Sequence, residues 1–213
     1  MKKTNILLLL CLFSSVIVLF LDPHHLDYLT FSTNNLKEGR FWTLITALFI
    51  HNDALHLFGN LIFLYVFGNT LEDLIGSKKM LSAFFIGGVL SFLISTYFYP
   101  PDIPMIGASA AIFTLAAVAM LVKPLRISIL FIFLPVGLVA ILYFIFNLYA
   151  LEHADSSNVA YISHIIGFMI GIPLGISWSR EWAKNLIITI LLLLIYFILA
   201  YWLLPILLIS YGI

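Results

Sequence analysis

The sequence predicts an all-α membrane protein, built as one domain over residues 1–213. Hydrophobic residues make up 63% of the chain and charged residues only 9%, whereas soluble domains carry roughly 25% charged residues. The apolar residues form seven runs, each close to the ~20 residues that a helix needs to cross the hydrocarbon core. The longest polar stretch, from Asp22 to about Arg40, is too short to bury a core of its own. We therefore expect a helical bundle with no second, soluble domain.

From the second to the seventh, the predicted spans follow one another with short breaks. Pro100-Pro101-Asp102 and Lys123-Pro124 are two of these breaks, and both combine turn residues with a charge. The first span follows Met1-Lys2-Lys3 without a small-residue cleavage site, so we expect an uncleaved helix instead of a signal peptide. The spans cover approximately residues 4–21, 53–71, 80–99, 105–122, 127–150, 159–178 and 185–211.

The basic residues predict the orientation of the bundle. With the N-terminus in the cytoplasm, Lys37 and Arg40 are the two basic residues on the outer side, which satisfies the positive-inside rule. Seven spans then place the C-terminus outside, and all six histidines fall on the outer side. We expect a multi-pass protein of the cell membrane. The inner loops hold Lys2, Lys3, Lys78, Lys79, Lys123, Arg126, Arg180 and Lys184.

Net charge and cysteine content exclude several classes of function. The formal net charge is zero, which argues against nucleic-acid binding. The single Cys11 excludes both an internal disulfide and a metal site built from cysteines. We expect neither a metal nor another cofactor.

Gly107-Ala108-Ser109-Ala110-Ala111 places a candidate nucleophile among small residues at the start of the fourth span. A backbone N–H in the first turn of a helix has no intrahelical partner, so the N–H of Ser109 is available to meet an oxyanion. The alternative is a small residue at a helix contact, which is a common use of serine in membrane helices.

His164, near the start of the sixth span, is the candidate base. A buried imidazole accepts a serine proton only if it is neutral and held within hydrogen-bond reach. The span continues with a stripe of glycines, which allows close approach to a neighbour such as the fourth span. The alternative is a histidine that forms an interhelical hydrogen bond and has no catalytic role. The stripe consists of Gly167, Gly171 and Gly175.

His56 and Asn60 share one face of the second span and are candidate oxyanion donors. A metal pair of His51 and His56 is the alternative, but on a helix these side chains would project about 140° apart. His56, Ser109 and His164 each lie about three to five residues from the outer ends of their spans. They therefore share one depth, under ~10 Å from the outer boundary, and are expected to form one site.

Five motifs follow one another between about residues 40 and 175. In this order and spacing the chain resembles the rhomboid family of intramembrane serine proteases. The resemblance implies a rhomboid-like bundle with six core helices, over about residues 1–178, and an appended seventh helix at about 185–211. The motifs are Trp42-Thr-Leu-Ile-Thr46-Ala-Leu-Phe-Ile-His51, His56-Leu-Phe-Gly-Asn60, Gly68-xxx-Glu72-xxx-Gly76, Gly107-Ala-Ser109-Ala and His164-Ile-Ile-Gly167-xxx-Gly171.

The resemblance also implies roles for individual residues. Ser109 resembles the nucleophile and His164 the general base, a dyad without a third, acidic residue. His56, Asn60 and the Ser109 amide resemble the oxyanion site, and Glu72 resembles a structural hydrogen-bonding residue near the inner end of the second span. Phe113 occupies the position of an aromatic ring that packs on the catalytic histidine. The supporting positions are Gly107, Phe113, Gly167 and Gly171.

Two positions depart from the family pattern. The Trp-Arg pair of the first loop is Trp42-Thr43 here, which affects the anchoring of that loop and not the chemistry. The usual glycine after the serine is Ala110, which is still small enough to leave Ser109 accessible. The segment from about Asp22 to Asn52 resembles this first loop, partly embedded in the outer leaflet.

We therefore expect a serine endopeptidase that hydrolyses peptide bonds in or near transmembrane segments of single-pass or polytopic membrane proteins. Substrates would enter sideways from the bilayer, and the family implies a gate near the fifth span. The bulky residues at that gate are Phe131, Phe133, Phe144 and Phe146.

Two alternatives belong to other functional classes. One is an inactive relative that binds membrane clients, but such members usually lack the serine or the histidine, and this chain has both. The other is a small transporter with His164 and Glu72 as proton-relay groups. A transporter predicts buried charge near the midplane, yet no acidic residue is central in any span.

Overall fold

A computed structural model gives the structure of the protein and describes residues 1–18, 26–128, 130–131, 133–153 and 161–203. The mostly helical membrane fold expected from the sequence is confirmed. Residues 19–21 and 204–211 of the predicted first and seventh spans, with His24 and His25, lie outside the described residues. The helices are α1 (Lys3–Val18), α2 (Thr33–Lys37), α3 (Thr43–Thr46), α4 (Ala54–Ser95), α5 (Ser109–Val122), α6 (Val136–His153), α7 (Tyr161–Trp178) and α8 (Trp182–Ile198).

Helix α4 contains two of the predicted spans, separated by a kink. At Gly76 the backbone has φ 83° and ψ 159°, which is not helical and strongly favours glycine. A Cβ there would meet nothing within 4 Å, so glycine is required by the backbone conformation and not by lack of space. Helices α4, α6, α7 and the segment Trp182–Trp202 are long and apolar enough to cross a membrane.

Helix α5 lies at the centre of the bundle. It has 14 residues, and those from Ser109 to Leu121 are all buried. At 1.5 Å per residue it is ~21 Å long, which is shorter than the ~30 Å hydrocarbon core. Because protein surrounds α5, the helix need not match the membrane thickness, and its first residue, Ser109, lies inside the bundle.

The glycine stripe of α7 faces α5. Each glycine lies so close to α5 that an added Cβ would collide with it, and this proximity allows Thr114 Oγ1 to donate to Gly167 O at 2.7 Å. The stripe therefore sets the distance between the two helices that carry Ser109 and His164. The contacting pairs are Gly167 with Ala110, Gly171 with Thr114 and Ala117, and Gly175 with Leu121.

The fifth predicted span begins later than the sequence suggests. Residues 127–150 were expected to be one helix, but β1 (Ile127–Ser128) and β2 (Leu134–Pro135) first pair as a short antiparallel hairpin. Leu134 precedes a proline, and this disfavours helical backbone, so α6 begins only at Val136. Phe131 and Phe133 therefore lie in the hairpin, and Phe144 and Phe146 lie on α6.

Glu72 attaches α1 to α4. Its carboxylate accepts hydrogen bonds from the backbone N–H of Lys3 at 2.7 Å and of Thr4 at 2.8 Å. It also accepts from Thr4 Oγ1 and from Ser77 Oγ, both at 2.7 Å. First-turn donors of α1, which have no partner within the helix, are satisfied in this way.

Arg40 organises the segment that precedes α4. Its guanidinium donates to Asn35 Oδ1 at 2.9 Å, pairs with Asp27 Oδ2 at 3.0 Å and lies 4.2 Å from the centroid of the Tyr28 ring. These contacts come from a residue two positions before Trp42. Arg40 thus anchors a loop in which Thr43 occupies the position of the family's arginine.

Helix α8 attaches to the end of α5 opposite Ser109. Asn185 Nδ2 donates to the backbone oxygens of Leu121 at 2.8 Å and Val122 at 3.0 Å. These are terminal carbonyls of α5 that have no partner within the helix. Most other residues of α8 are exposed or partly exposed.

Candidate active site

Ser109 begins α5 directly after a turn that requires glycine. Gly107 has φ 103°, a left-handed value that side chains other than glycine rarely adopt, and its N–H donates to Ala47 O at 2.8 Å. A Cβ on Gly107 would lie 2.7 Å from Nε2 of His56. Both the backbone and the space therefore demand glycine where the turn passes the His56 ring.

Ser109 and His164 are joined by a hydrogen bond across the interface of α5 and α7. The distance from Ser109 Oγ to His164 Nε2 is 2.7 Å. Ser109 is 8% exposed, and His164 is partly buried. The two residues that the sequence places in separate spans thus meet at a distance suited to proton transfer.

A column of stacked rings supports one face of His164. Phe113 packs on the imidazole with centroids 4.8 Å apart and an interplanar angle of 18°. Tyr143 stacks on Phe113 at 4.1 Å, and Phe63 stacks on Tyr143 at 3.9 Å. Because the four rings come from four helices, the plane of the imidazole is set by packing of the whole bundle.

The second ring nitrogen of His164 also has a partner. Asn147 Oδ1, on α6, lies 2.7 Å from His164 Nδ1, and Asn147 is 3% exposed. Asn147 was not among the predicted site residues, because the resemblance implied a dyad without a third, acidic residue. A usable signal was present, since Asn147 is the one amide side chain within the apolar α6.

His56 and Asn60 face Ser109 from the first turns of α4. Asp53 caps this helix by accepting a hydrogen bond from the His56 N–H at 2.7 Å. Asn60 Nδ2 donates to His56 O at 2.9 Å, which uses one of its two protons. Asn60 Oδ1 is buried and has no hydrogen-bond partner among the described residues. His56 Nδ1 lies 2.7 Å from Asn52 Oδ1.

The angle of about 140° predicted between His51 and His56 assumes that both residues lie on one helix. His51 precedes α4, so this angle does not apply to the pair. The two rings approach edge to face with centroids 4.9 Å apart. Burial, and to a smaller extent the nearby His56, lowers the pKa of His51 to about 3. His51 Nδ1 forms a hydrogen bond with Ser15 Oγ at 3.0 Å. A zinc site needs three or four protein ligands, and no group of three metal-binding side chains occurs within the described ranges.

The candidate residues line one cavity of about 360 Å³. The structure thus brings together the four polar residues singled out in the sequence, while Gly107 and Phe113 support them directly and Gly167 and Gly171 lie in the helix interface. An apolar cavity of about 300 Å³ also includes Phe63 and Tyr143 in its walls. The polar residues of the first cavity include Ser109, His164, His56 and Asn60.

Comparison with known proteins shows the same family over most of the chain. The sequence model of the Rhomboid domain matches residues 38–181. The chain is 36% identical over 83 residues to Rhomboid-like protein 11, chloroplastic, of Arabidopsis thaliana, which is 39% of this chain and 30% of that protein. It is 27% identical over 154 residues to RHOMBOID-like protein 12, mitochondrial, of the same plant, and this match covers 64% of this chain and 46% of that protein. It is 32% identical over 78 residues to Rhomboid protease GluP of Bacillus subtilis, and this match covers 37% of this chain and 15% of that protein.

The matched segments span less than half the length of each of these relatives. The domain match contains every candidate site residue and ends at residue 181, just before α8 begins. It covers well over half of the chain, and the chain has apolar helices of membrane-spanning length. The protein is therefore an integral membrane protein that belongs to the rhomboid family.

Proposed function

We propose that the protein is an intramembrane serine protease that hydrolyses peptide bonds in or near transmembrane segments of other membrane proteins. The observation that carries this proposal is the 2.7 Å contact between Ser109 Oγ and His164 Nε2, which border a cavity inside an apolar bundle. Relatives named as proteases, such as Rhomboid protease GluP, support the same reaction class. An inactive relative has no need of this contact.

In the proposed reaction Ser109 Oγ attacks the peptide carbonyl while His164 Nε2 takes its proton. The imidazolium then gives this proton to the leaving amine, and the C–N bond breaks to leave an acyl ester on Ser109. Water attacks the ester with His164 again as base, and the carboxylic product leaves. Both steps need only a serine, a histidine and water, so no cofactor enters the proposal.

The oxyanion of the tetrahedral intermediate needs donors on the opposite side from His164. We assign this role to the Ser109 backbone N–H, the second Nδ2 proton of Asn60 and His56 Nε2, all of which border the same cavity. For neutral His56 to donate from Nε2, the Asn52 amide must present its NH₂ group to Nδ1. Within the described residues no second hydrogen bond fixes the orientation of that amide.

The apolar cavity supports sideways entry of the substrate. It is bordered by α4, by the hairpin and by α6, and it shares Phe63 and Tyr143 with the cavity at Ser109. A transmembrane segment needs such an apolar path because its side chains leave lipid when it moves toward the serine. The entrance is therefore proposed between α4 and α6, beside Phe131 and Phe146.

For the topology we propose a cytoplasmic N-terminus, a site that opens to the outer side of the cell membrane, and an outer C-terminus after an appended seventh helix. The distribution of basic residues supports it. Single cysteines at Lys37 and Lys78, in a Cys11→Ser background, test it in intact cells. A membrane-impermeant maleimide is expected to label the first and not the second, and the reverse pattern contradicts the topology.

Cleavage of a generic single-pass substrate by the purified protein in detergent tests the proposed activity. Wild-type protein is expected to release two fragments, and Ser109→Ala is expected to release none. Ser177→Ala is the matched control, because this exposed serine of α7 donates only to Leu174 O among the described residues. Cleavage by Ser109→Ala at the wild-type rate would refute the serine mechanism.

A further inference from the structure

Asn147 is a buried polar residue whose two amide atoms both have partners. It lies on α6, is 3% exposed, and faces the first turn of α7. Its Oδ1 lies 2.7 Å from His164 Nδ1, and its Nδ2 donates to Tyr161 O at 3.2 Å. Burying an amide in an apolar bundle costs free energy unless the amide is hydrogen-bonded, and these two contacts explain why Asn147 is tolerated there.

The Tyr161 carbonyl determines which way the Asn147 amide points. A carbonyl oxygen only accepts hydrogen bonds, so the NH₂ group of Asn147 must face Tyr161. The amide oxygen then faces His164, and an amide oxygen also only accepts. The proton on the imidazole must therefore be on Nδ1, which donates to Asn147 Oδ1.

This tautomer leaves the lone pair of His164 on Nε2, 2.7 Å from Ser109 Oγ. We propose that Asn147 is a positioning residue that holds neutral His164 in the Nδ1–H form, so that the site is a Ser109, His164 and Asn147 arrangement. The inference rests on the proposed protease function, and it replaces the expected dyad with a triad whose third member is neutral. An amide suits this position because it orients the imidazole without placing a charge inside the membrane.

Helix α6 supports His164 twice. Asn147 holds the edge of the ring, and Tyr143, one turn earlier on the same face of α6, stacks on Phe113, which stacks on the imidazole. A displacement of α6 away from α5 and α7 would remove both contacts. Both forms of support therefore depend on the packing of α6, which also borders the apolar cavity, against these two helices.

The tautomer of His164 can be measured without any catalysis. In ¹⁵N-histidine-labelled Ser109→Ala protein, with His164 assigned through a His164→Gln variant, we expect a protonated Nδ1 and a bare Nε2 at neutral pH. Adding Asn147→Ala is expected to remove this preference, while Asn147→Asp, which keeps an acceptor, is expected to restore it. A protonated Nε2 in the presence of Asn147, or an unchanged tautomer in Asn147→Ala, overturns the inference.

Kinetics provide the second readout. Asn147→Ala leaves the Nδ1–H of His164 without its acceptor, and we expect kcat to fall about 5- to 100-fold with KM nearly unchanged. Leu148→Ala, at an exposed neighbour on α6, is the matched control and should keep wild-type kcat. Wild-type kcat in folded Asn147→Ala, even with a lower melting temperature, would mean a purely structural role and overturns the inference.

Failure of the two proposals can be told apart. If Ser109→Ala cleaves substrate normally, the protease mechanism fails regardless of Asn147. If Ser109→Ala is inactive but the His164 tautomer does not depend on Asn147, only the positioning role fails.

Discussion

Replacing Gly171 by valine tests whether close packing of α7 on α5 positions the site. A Cβ at Gly171 would lie 2.7 Å from the Cβ of Ala117, whereas carbon atoms in contact normally lie about 3.5 to 4.0 Å apart. The helices must therefore separate by about 1 Å at this level. Gly171 lies two turns from His164 on the same helix face, so the displacement is transmitted along α7 as a rigid element.

A separation of this size would lengthen the 2.7 Å bond between Ser109 Oγ and His164 Nε2 beyond hydrogen-bond range. Misplacement of reacting groups by about 1 Å costs around 10²-fold in rate, so kcat/KM for Gly171→Val is expected to fall by that factor or more. Overpacking also costs about 1 to 3 kcal/mol, which should lower the melting temperature.

The assay compares cleavage rates and thermal melts of Gly171→Val with those of Ile172→Val. Ile172 is partly buried and points about 100° away around the helix from Gly171, and this change removes a single methylene, so near-wild-type activity is expected. Wild-type rate and melting temperature in Gly171→Val would show that α7 does not depend on this contact. The structural basis for the Ser109 and His164 contact would then be lost.

Three further predictions concern Asn60, His56 and Glu72. Asn60→Ala should lower kcat about 10²-fold with little change in KM, because its donor meets charge that develops only in the transition state; an equal rise in KM instead would assign Asn60 to substrate binding. His56→Ala should behave similarly, and restoration of its activity by zinc would contradict a serine mechanism. Glu72→Gln should lower stability by about 1 to 3 kcal/mol in thermal or chemical unfolding, with kcat unchanged at low temperature, because an amide cannot accept all of the hydrogen bonds that the carboxylate accepts from Lys3, Thr4 and Ser77. Unchanged stability would mean that α1 is held by apolar packing alone.

The helical architecture was predictable because the hydrocarbon core demands long apolar runs and internal hydrogen bonds. The site residues on α4, α5 and α7 stood out because polar groups are rare in such runs and each of these lies near the same end of its helix. The spacing of Gly167 and Gly171 likewise indicated a close helix contact before the partner was known. These features depend on position along a helix, which sequence periodicity reports directly.

The hairpin before α6 and the role of Asn147 were not predictable in the same way. Residues 127–135 are as apolar as a helix, and their pairing as β1 and β2 depends on local backbone restriction around Pro135. The partner of Asn147 depends on how far α6 is rotated about its own axis relative to α7. Hydropathy does not specify this rotation, which follows from the packing of Tyr143 and Phe113 in the ring column.

Covalent labelling of Ser109 tests the central claim, that His164 activates this serine for nucleophilic attack. Purified wild-type protein and His164→Ala would be incubated with a fluorophosphonate, and peptide mass spectrometry would locate the adduct and its rate of formation. We expect a single adduct on Ser109 in the wild type, formed at least about 10²-fold more slowly in His164→Ala because the general base is absent. Equal labelling rates in the two proteins, or protein that cleaves substrate without any adduct on Ser109, would contradict the claim.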